Sequence, residues 1–245
     1  MFALAPLPEV RTGDDLPALL ADASPAGLHE GDMLVVASKV VSKAEGRVAR
    51  LRDVEPSEHA REIAAENDKD ARFVQLVLDE SAGLLRAERG VLIAETRQGY
   101  VCANAGIDQS NVPGDDSVVL LPVDPDNSAR ALREGFGRAY GVRPAVVITD
   151  SFGRAWRLGQ VDVAVGAAGL RVLDDWRGRG DREGRELAAT EIAVADAVAA
   201  AADLARTKDA GEPGVLVRGL ERFVTEEHGP GAAALLRPRE QDLFR

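Results

Sequence analysis

The segment Asn104-Ala-Gly-Ile-Asp-Gln-Ser-Asn111 gathers a carboxylate, amides, a hydroxyl and a glycine into eight consecutive residues. It follows a short apolar stretch, Tyr100-Val-Cys-Ala103, and is closed by Pro113-Gly114. Oxygen ligands this dense, on a loop leaving a strand, suit a hard divalent cation and the phosphates that such a cation carries. One aspartate does not make a metal site. The second carboxylate is expected at Asp150, in Thr149-Asp-Ser-Phe-Gly153, directly behind the buried-strand run Ala145-Val-Val-Ile-Thr149. Open α/β sheets hold ligands at the carboxyl ends of their strands, which is where Asp108 and Asp150 would meet.

Lys39 and Lys43 stand four residues apart just after another apolar run, Met33-Leu-Val-Val-Ala37. They could both reach one anionic ligand; the same spacing also fits two solvated lysines. In Ser151-Phe-Gly-Arg-Ala-Trp-Arg-Leu-Gly-Gln160, Arg154 and Arg157 flank Trp156. Guanidinium forks bind phosphate or carboxylate in pairs of hydrogen bonds, and an indole stacks on a planar ring. A packed Trp between two surface arginines is the alternative. The chain has no Gly-x-x-x-x-Gly-Lys-Ser/Thr phosphate loop, no Gly-x-Gly-x-x-Gly, no Gly-x-Ser-x-Gly and no His-Glu-x-x-His, so the common nucleotide folds and hydrolases are disfavoured. What remains is an oxygen-rich set that selects magnesium or manganese, ions that offset charge in phosphoryl transfer. Plain structural roles also fit each piece: an Asx turn for Asp108, a helix cap for Asp150-Ser151.

With 245 residues, 45% apolar and 29% charged, the chain is long enough for a full core. A net charge of −11 argues against general nucleic-acid binding and against an anionic membrane surface. Cys102 is the single cysteine, which excludes a disulfide framework and a cysteine zinc site. His29, His59 and His228 are too far apart for ligand spacing and are expected at the surface. No apolar run approaches the roughly 18 residues of a membrane span. Met1-Phe-Ala-Leu-Ala-Pro6 lacks the basic start of a signal peptide. The expectation is a cytoplasmic protein.

The elements that must position these residues alternate as in an α/β protein. A turn at Thr12–Leu16 leads into a short helix through Leu20, and Met33–Ala37 reads as a buried strand. Ser57 should cap a helix over Glu58–Glu66, and a second helix should cover Asp70–Ser81. Val91–Glu95 and Tyr100–Ala103 pair around Gln98-Gly99, and Val118–Leu121 is a further strand. A helix capped by Asp126, Asn127 or Ser128 should run through Tyr140 and stop at Gly141. Glu186 to about Arg206 reads as one long alanine-rich helix, buried at a packing or subunit contact. The loop Thr207–Pro213 precedes a last strand, Gly214–Arg218. A single domain over residues 1–245, of one lobe or two, is expected.

Beyond these patterns, the sequence resembles the coenzyme F420-0:gamma-glutamyl ligase family from Leu7 to about Gly219. The resemblance rests on ordered motifs: Leu7-Pro-Glu-Val10, Gly31-Asp32, Ser42-Lys-Ala-Glu-Gly46, Pro56-Ser-Glu58, Asn104–Asn111, Asp124-Pro-Asp126, Thr149–Arg154 and Gly184-Arg-Glu-Leu187. It implies an uncommon mixed-sheet α/β (α+β) ligase fold in an intertwined homodimer. The implied activity is GTP-dependent amide ligation of L-glutamate to the terminal carboxylate of coenzyme F420-0, a deazaflavin precursor, through an acyl phosphate. A further gamma-linked glutamate could follow. Two divalent ions (Mg or Mn) and a monovalent cation (K) would assist. Carried over by motif, Asp108 and Asp150 would hold the first divalent ion, and Ser151 would sit at the second. Leu7, Pro8, Glu9, Val10, Ser38, Lys39, Lys43, Asn111 and Lys208 would contact GTP, with Lys43 stabilising the transferred phosphoryl group. Arg154, Trp156 and Arg157 are candidates for the acid substrates. A metal-dependent phosphohydrolase, a ligase for another carboxylic acid and a non-catalytic deazaflavin-binding module remain the alternatives.

Overall fold

The computed structural model describes residues 1–25, 27–110 and 116–244. Asn111 and Pro113-Gly114 therefore lie outside the described residues. In chain order the elements are β1 (Phe2–Ala3), α1 (Leu16–Asp22), β2 (Met33–Ala37), α2 (Ser38–Ala44), β3 (Val48–Arg50), α3 (Glu58–Asn67) and α4 (Ala71–Asp79). Then come β4 (Ser81–Glu88), β5 (Val91–Thr96), β6 (Val101–Ala103), β7 (Ser117–Val119), α5 (Pro125–Tyr140) and β8 (Ala145–Arg154). The last are β9 (Arg157–Ala168), β10 (Leu173–Asp175), β11 (Glu191–Ala193), α6 (Val194–Asp203) and β12 (Gly214–Val217).

The central sheet has the order β1-β12-β2-β8-β9. Only the β2–β8 pair is parallel, and the other three pairs are antiparallel. Period-2 alternation divides each central strand between two cores. Leu34, Val36, Val146, Ile148 and Leu216 join one cluster with α1 and α5 residues. Met33, Val35, Ala145, Val147, Val215 and Val217 join another with α6. Burial on both faces explains why β2 and β8 read as unbroken apolar runs. A third cluster is built from α3, α4, β5 and β7 around Phe73, Val74, Val77 and Leu92. The architecture is a mixed α/β one, and no helix of the described residues is long and apolar enough to cross a membrane.

The Ser57 cap is present, its side chain accepting from Ala60 N. Other expectations need correction. The helix over 125–140 is capped by Asp124, whose side chain accepts from Asn127 N, with Pro125 in the first turn. Asp126 instead faces inward and accepts from Ala167 N (2.8 Å) and Ala232 N (2.7 Å), tying the C-terminal segment to β9. The expected long helix from Glu186 starts only at Val194. Its would-be first turns pair as β11 with β10, Asp174 opposite Ile192, and Arg177 holds Glu191 at 2.9 Å. Cross-strand pairing there overrides alanine's helix preference. The strand expected to end at Thr149 continues to Arg154 and forms a hairpin with β9. His228 is half-buried rather than at the surface, and its Nε2 lies 3.2 Å from Glu134 Oε1.

Candidate active site

Ala37 pairs with Thr149 across the parallel strands. Beyond that pair the chain turns into α2 while β8 runs on, so Ser38 and Asp150 face each other and Ser38 Oγ donates to Asp150 Oδ1 at 3.0 Å. The register of β8 against β9 shifts between Ile148 and Thr149, where Val165 is the extra residue. A bulge re-aims the side chains beside it. The Tyr100 hydroxyl donates to the Val165 carbonyl and pins it. Beyond the bulge, Thr149, Ser151 and Asp162 point together: Thr149 Oγ1 donates to Asp162 Oδ2 (2.8 Å) and Ser151 Oγ to Asp162 Oδ1 (2.6 Å).

The segment after β6 turns sharply. Asn104 (φ 53°), Ala105 (φ 53°) and Gly106 (φ 70°) all occupy the left-handed region, which costs on the order of 1 kcal/mol for each residue bearing a Cβ. Ala105 is packed in the third core, which holds the turn. Asn104 Oδ1 is buried with no hydrogen-bond partner among the described residues. Asp108 follows, its Oδ2 2.6 Å from Lys39 Nζ and its Oδ1 accepting from Ser110 N at 2.6 Å. Lys39 also donates to Ser110 O and Oγ. The two lysines after β2 thus lie on a helix and are not free in solvent: Lys43 is 7% exposed and 2.6 Å from Glu9 Oε1.

These groups line one cavity of about 770 Å³, a volume within the range of small-molecule sites. Its wall contains Leu7, Pro8, Glu9, Val10, Ser38, Lys39, Lys43, Asp108, Asp150, Ser151 and Lys208, nearly all the residues expected from sequence. The Leu7 N–H donates to Gly211 O (3.1 Å), joining the first loop to the segment carrying Lys208. Arg154, Trp156 and Arg157 do not line the cavity; they sit at the turn between β8 and β9, with Trp156 76% exposed and its ring 4.9 Å from that of Phe244. Sequence reading missed Asp162 and Arg206, an ion pair 1% and 7% exposed. The available signal was a lone carboxylate inside the apolar run Val161-Asp-Val-Ala-Val165.

Burial pushes the Asp150 carboxyl up to about 7, and the neighbouring Asp162 and Asp108 carboxylates add to the rise against the Ser38 hydrogen bond. Burial would also raise Asp108, but the Lys39 and Ser110 hydrogen bonds outweigh it and hold that carboxyl below its ordinary value. Burial lifts the Cys102 thiol to about 12, so it is an inert wall residue. A carboxylate whose charged form is disfavoured by burial, lining the same cavity as an unpartnered amide oxygen, is a donor set that fits a divalent cation. No group of three or more His, Cys, Asp or Glu side chains is set to hold an ion among the described residues. Magnesium-type sites need only one or two carboxylates when phosphate oxygens complete the shell.

The sequence profile described as F420-0:gamma-glutamyl ligase matches residues 5–219. The chain is 45% identical over 239 residues to the coenzyme F420:L-glutamate ligase of Methanopyrus kandleri, covering 97% of this chain and 94% of that protein. It is also 45% identical over 252 residues to the ligase of that name from Haloarcula marismortui, covering 100% and 95%. The ligase of that name from Methanothermobacter thermautotrophicus is 44% identical over 244 residues, covering 98% and 96%. On these grounds the chain belongs to the F420-0:gamma-glutamyl ligase family.

Proposed function

We propose that this protein is a GTP-dependent amide ligase that joins L-glutamate to the terminal carboxylate of coenzyme F420-0 through an acyl phosphate, as a homodimer. Family membership and the relatives' names support ligation of glutamate to the F420 precursor. The observation that carries the phosphoryl-transfer reading is the meeting, in one cavity, of Asp108 and Asp150 with Lys39 and Lys43.

A carboxylate is a poor acyl donor because oxide is a poor leaving group. Transfer of the γ-phosphoryl group to the precursor's carboxylate oxygen breaks the bond between that phosphorus and the β,γ-bridging oxygen, and GDP leaves. The glutamate nitrogen then attacks the acyl carbon, the C–O bond to phosphate breaks, and the nitrogen loses its proton. Asp108, Asp150 and Asn104 Oδ1 would hold a magnesium or manganese ion, which when bound offsets charge on the phosphate oxygens. Lys43 and Lys39 are placed to turn from their carboxylate partners to the phosphates and stabilise charge spreading over them. The Leu7–Val10 loop and Ser38 form part of the cavity wall, and the nucleotide would lie against it.

Incubation with GTP, manganese, F420-0 and glutamate, read by mass spectrometry, should yield GDP and a product one glutamate heavier. Asp108→Ala should fold and fail to form it. Phosphate release from GTP at full rate without glutamate and precursor would identify a hydrolase instead, and wild-type turnover by Asp108→Ala would refute the assignment of the ion.

A further inference from the structure

We propose that Lys208 supplies the positive charge at Ser151 from within the chain, so that the cavity takes one divalent ion, at Asp108 and Asp150, and no second ion at Ser151. The inference rests on the reading of those aspartates as ion ligands and departs from the two-ion expectation.

The geometry around Ser151 carries it. Lys208 Nζ lies 2.6 Å from Asp203 Oδ1, 3.1 Å from Ser151 Oγ and 3.6 Å from Asp162 Oδ1. These are the oxygens that a cation bound at Ser151 would have to share. The Ser151 hydroxyl gives its proton to Asp162 Oδ1 at 2.6 Å and accepts from the ammonium, so both its donor and an acceptor direction are in use. Charge is balanced as well. Asp162 and Asp203 face Lys208 and Arg206, whose Nη2 bonds Asp162 and whose Nε lies 3.6 Å from Asp203 Oδ1. A divalent ion added there would leave an excess of positive charge among these groups.

Asp150 is the opposite case. Its hydrogen-bonding partner is the neutral Ser38 hydroxyl, and it forms no ion pair among the described residues. One neighbouring position is filled by an ammonium of the chain, and the other holds a carboxylate that lacks one. Lys208 is also well suited to persist there: its side chain is 65% exposed, so holding an ammonium does not require full desolvation.

The test counts ions. Equilibrium dialysis with Mn²⁺, alone and with a non-hydrolysable GTP analogue, should give one ion per wild-type chain. Lys208→Gln should take up a second. Adding Ser151→Ala to that variant should remove the second ion, whereas Ser151→Ala in the wild-type background should leave the count at one and the affinity changed by less than about twofold. Two ions on the wild-type chain, or a single ion on Lys208→Gln, would overturn the role of Lys208 while leaving the Asp108–Asp150 site standing. No ion on the wild-type chain, with or without the analogue, would overturn both readings together.

Discussion

Gly106 packs against Leu121 so closely that a methyl group added to the glycine would lie 2.6 Å from Leu121 Cδ1. The contact sits at the base of the turn that presents Asn104 and Asp108, and Gly106 holds φ 70° there. Leu121 belongs to the first core and Ala105 to the third, so the turn is clamped between two packed clusters. Gly106→Ala should therefore meet both a left-handed backbone and an overpacked core. The expected loss of stability is on the order of 1–3 kcal/mol, with Mn²⁺ binding weakened because Asp108 moves. Gly83, with negative φ and no atom within 4 Å of an added methyl, is the control; Gly83→Ala should leave urea midpoint and ion affinity unchanged.

Asp150 makes a prediction whose sign is opposite to that of most carboxylates. Its folded pKa, about 7, lies above the ordinary 3.8. The folded state thus holds the proton more tightly than the unfolded chain, and stability falls as pH rises from about 4 to about 7. Asp150→Asn keeps an acceptor for Ser38 and removes the titration. In metal-free buffer it should match the wild type near pH 4 and exceed it at pH 8, by up to about 4 kcal/mol. Added Mn²⁺ should reverse the order at pH 8 by stabilising the wild type alone. Urea titrations at both pH values check this; a wild type that is the more stable at pH 8 without metal would refute it.

The scaffold of this site was legible because its signals are local. β2 and β8 are apolar runs of strand length, and Ser57 and Gly141 mark helix ends by side chain and by backbone freedom. Lys39, Lys43, Asp108 and Asp150 are legible only through motifs, since they lie on separate stretches that the parallel pairing of β2 with β8 and the turn after β6 bring to one cavity. What escaped depends on contacts distant in sequence. Asp162 looks like an interruption of an apolar strand until Arg206, Thr149 and Ser151 are placed around it. Glu191–Ala193 has helical neighbours in sequence and a strand partner in space. Asp126 was read as a cap because it lies near a helix start, whereas its partners are Ala167 and Ala232.

Arg206 and Lys208 both approach Asp162, but from different dielectric surroundings. The Arg206 and Asp162 side chains are 7% and 1% exposed, whereas Lys208 is 65% exposed. Removing the guanidinium leaves a buried carboxylate short of its closest charge. Arg206→Met should cost on the order of 3–5 kcal/mol, and Lys208→Gln less than about 1 kcal/mol. Chemical denaturation of the two variants separates them, and equal losses would show that Asp162 does not distinguish its partners.

The pairing of Asp32 with Arg218 gives the ordinary acid response. Asp32 leads into β2, and its carboxylate accepts from Arg218 Nε (2.7 Å), Arg218 Nη2 (2.8 Å) and His29 N (2.8 Å). Burial would raise its pKa, but the Arg218 and His29 hydrogen bonds prevail and hold it below 3.8. A depressed folded pKa contributes stability that is present above the unfolded value and lost as pH falls through the folded one. Asp32→Asn should lower stability at pH 7 by about 1–3 kcal/mol, discounted because Arg218 remains 35% exposed. The gap between variant and wild type should close on acidification below about pH 4, where the wild-type carboxylate takes up its proton. Urea midpoints of the two proteins at pH 7 and pH 3 measure it. A gap that stays constant across that range would show that the Asp32 hydrogen bonds hold without its charge.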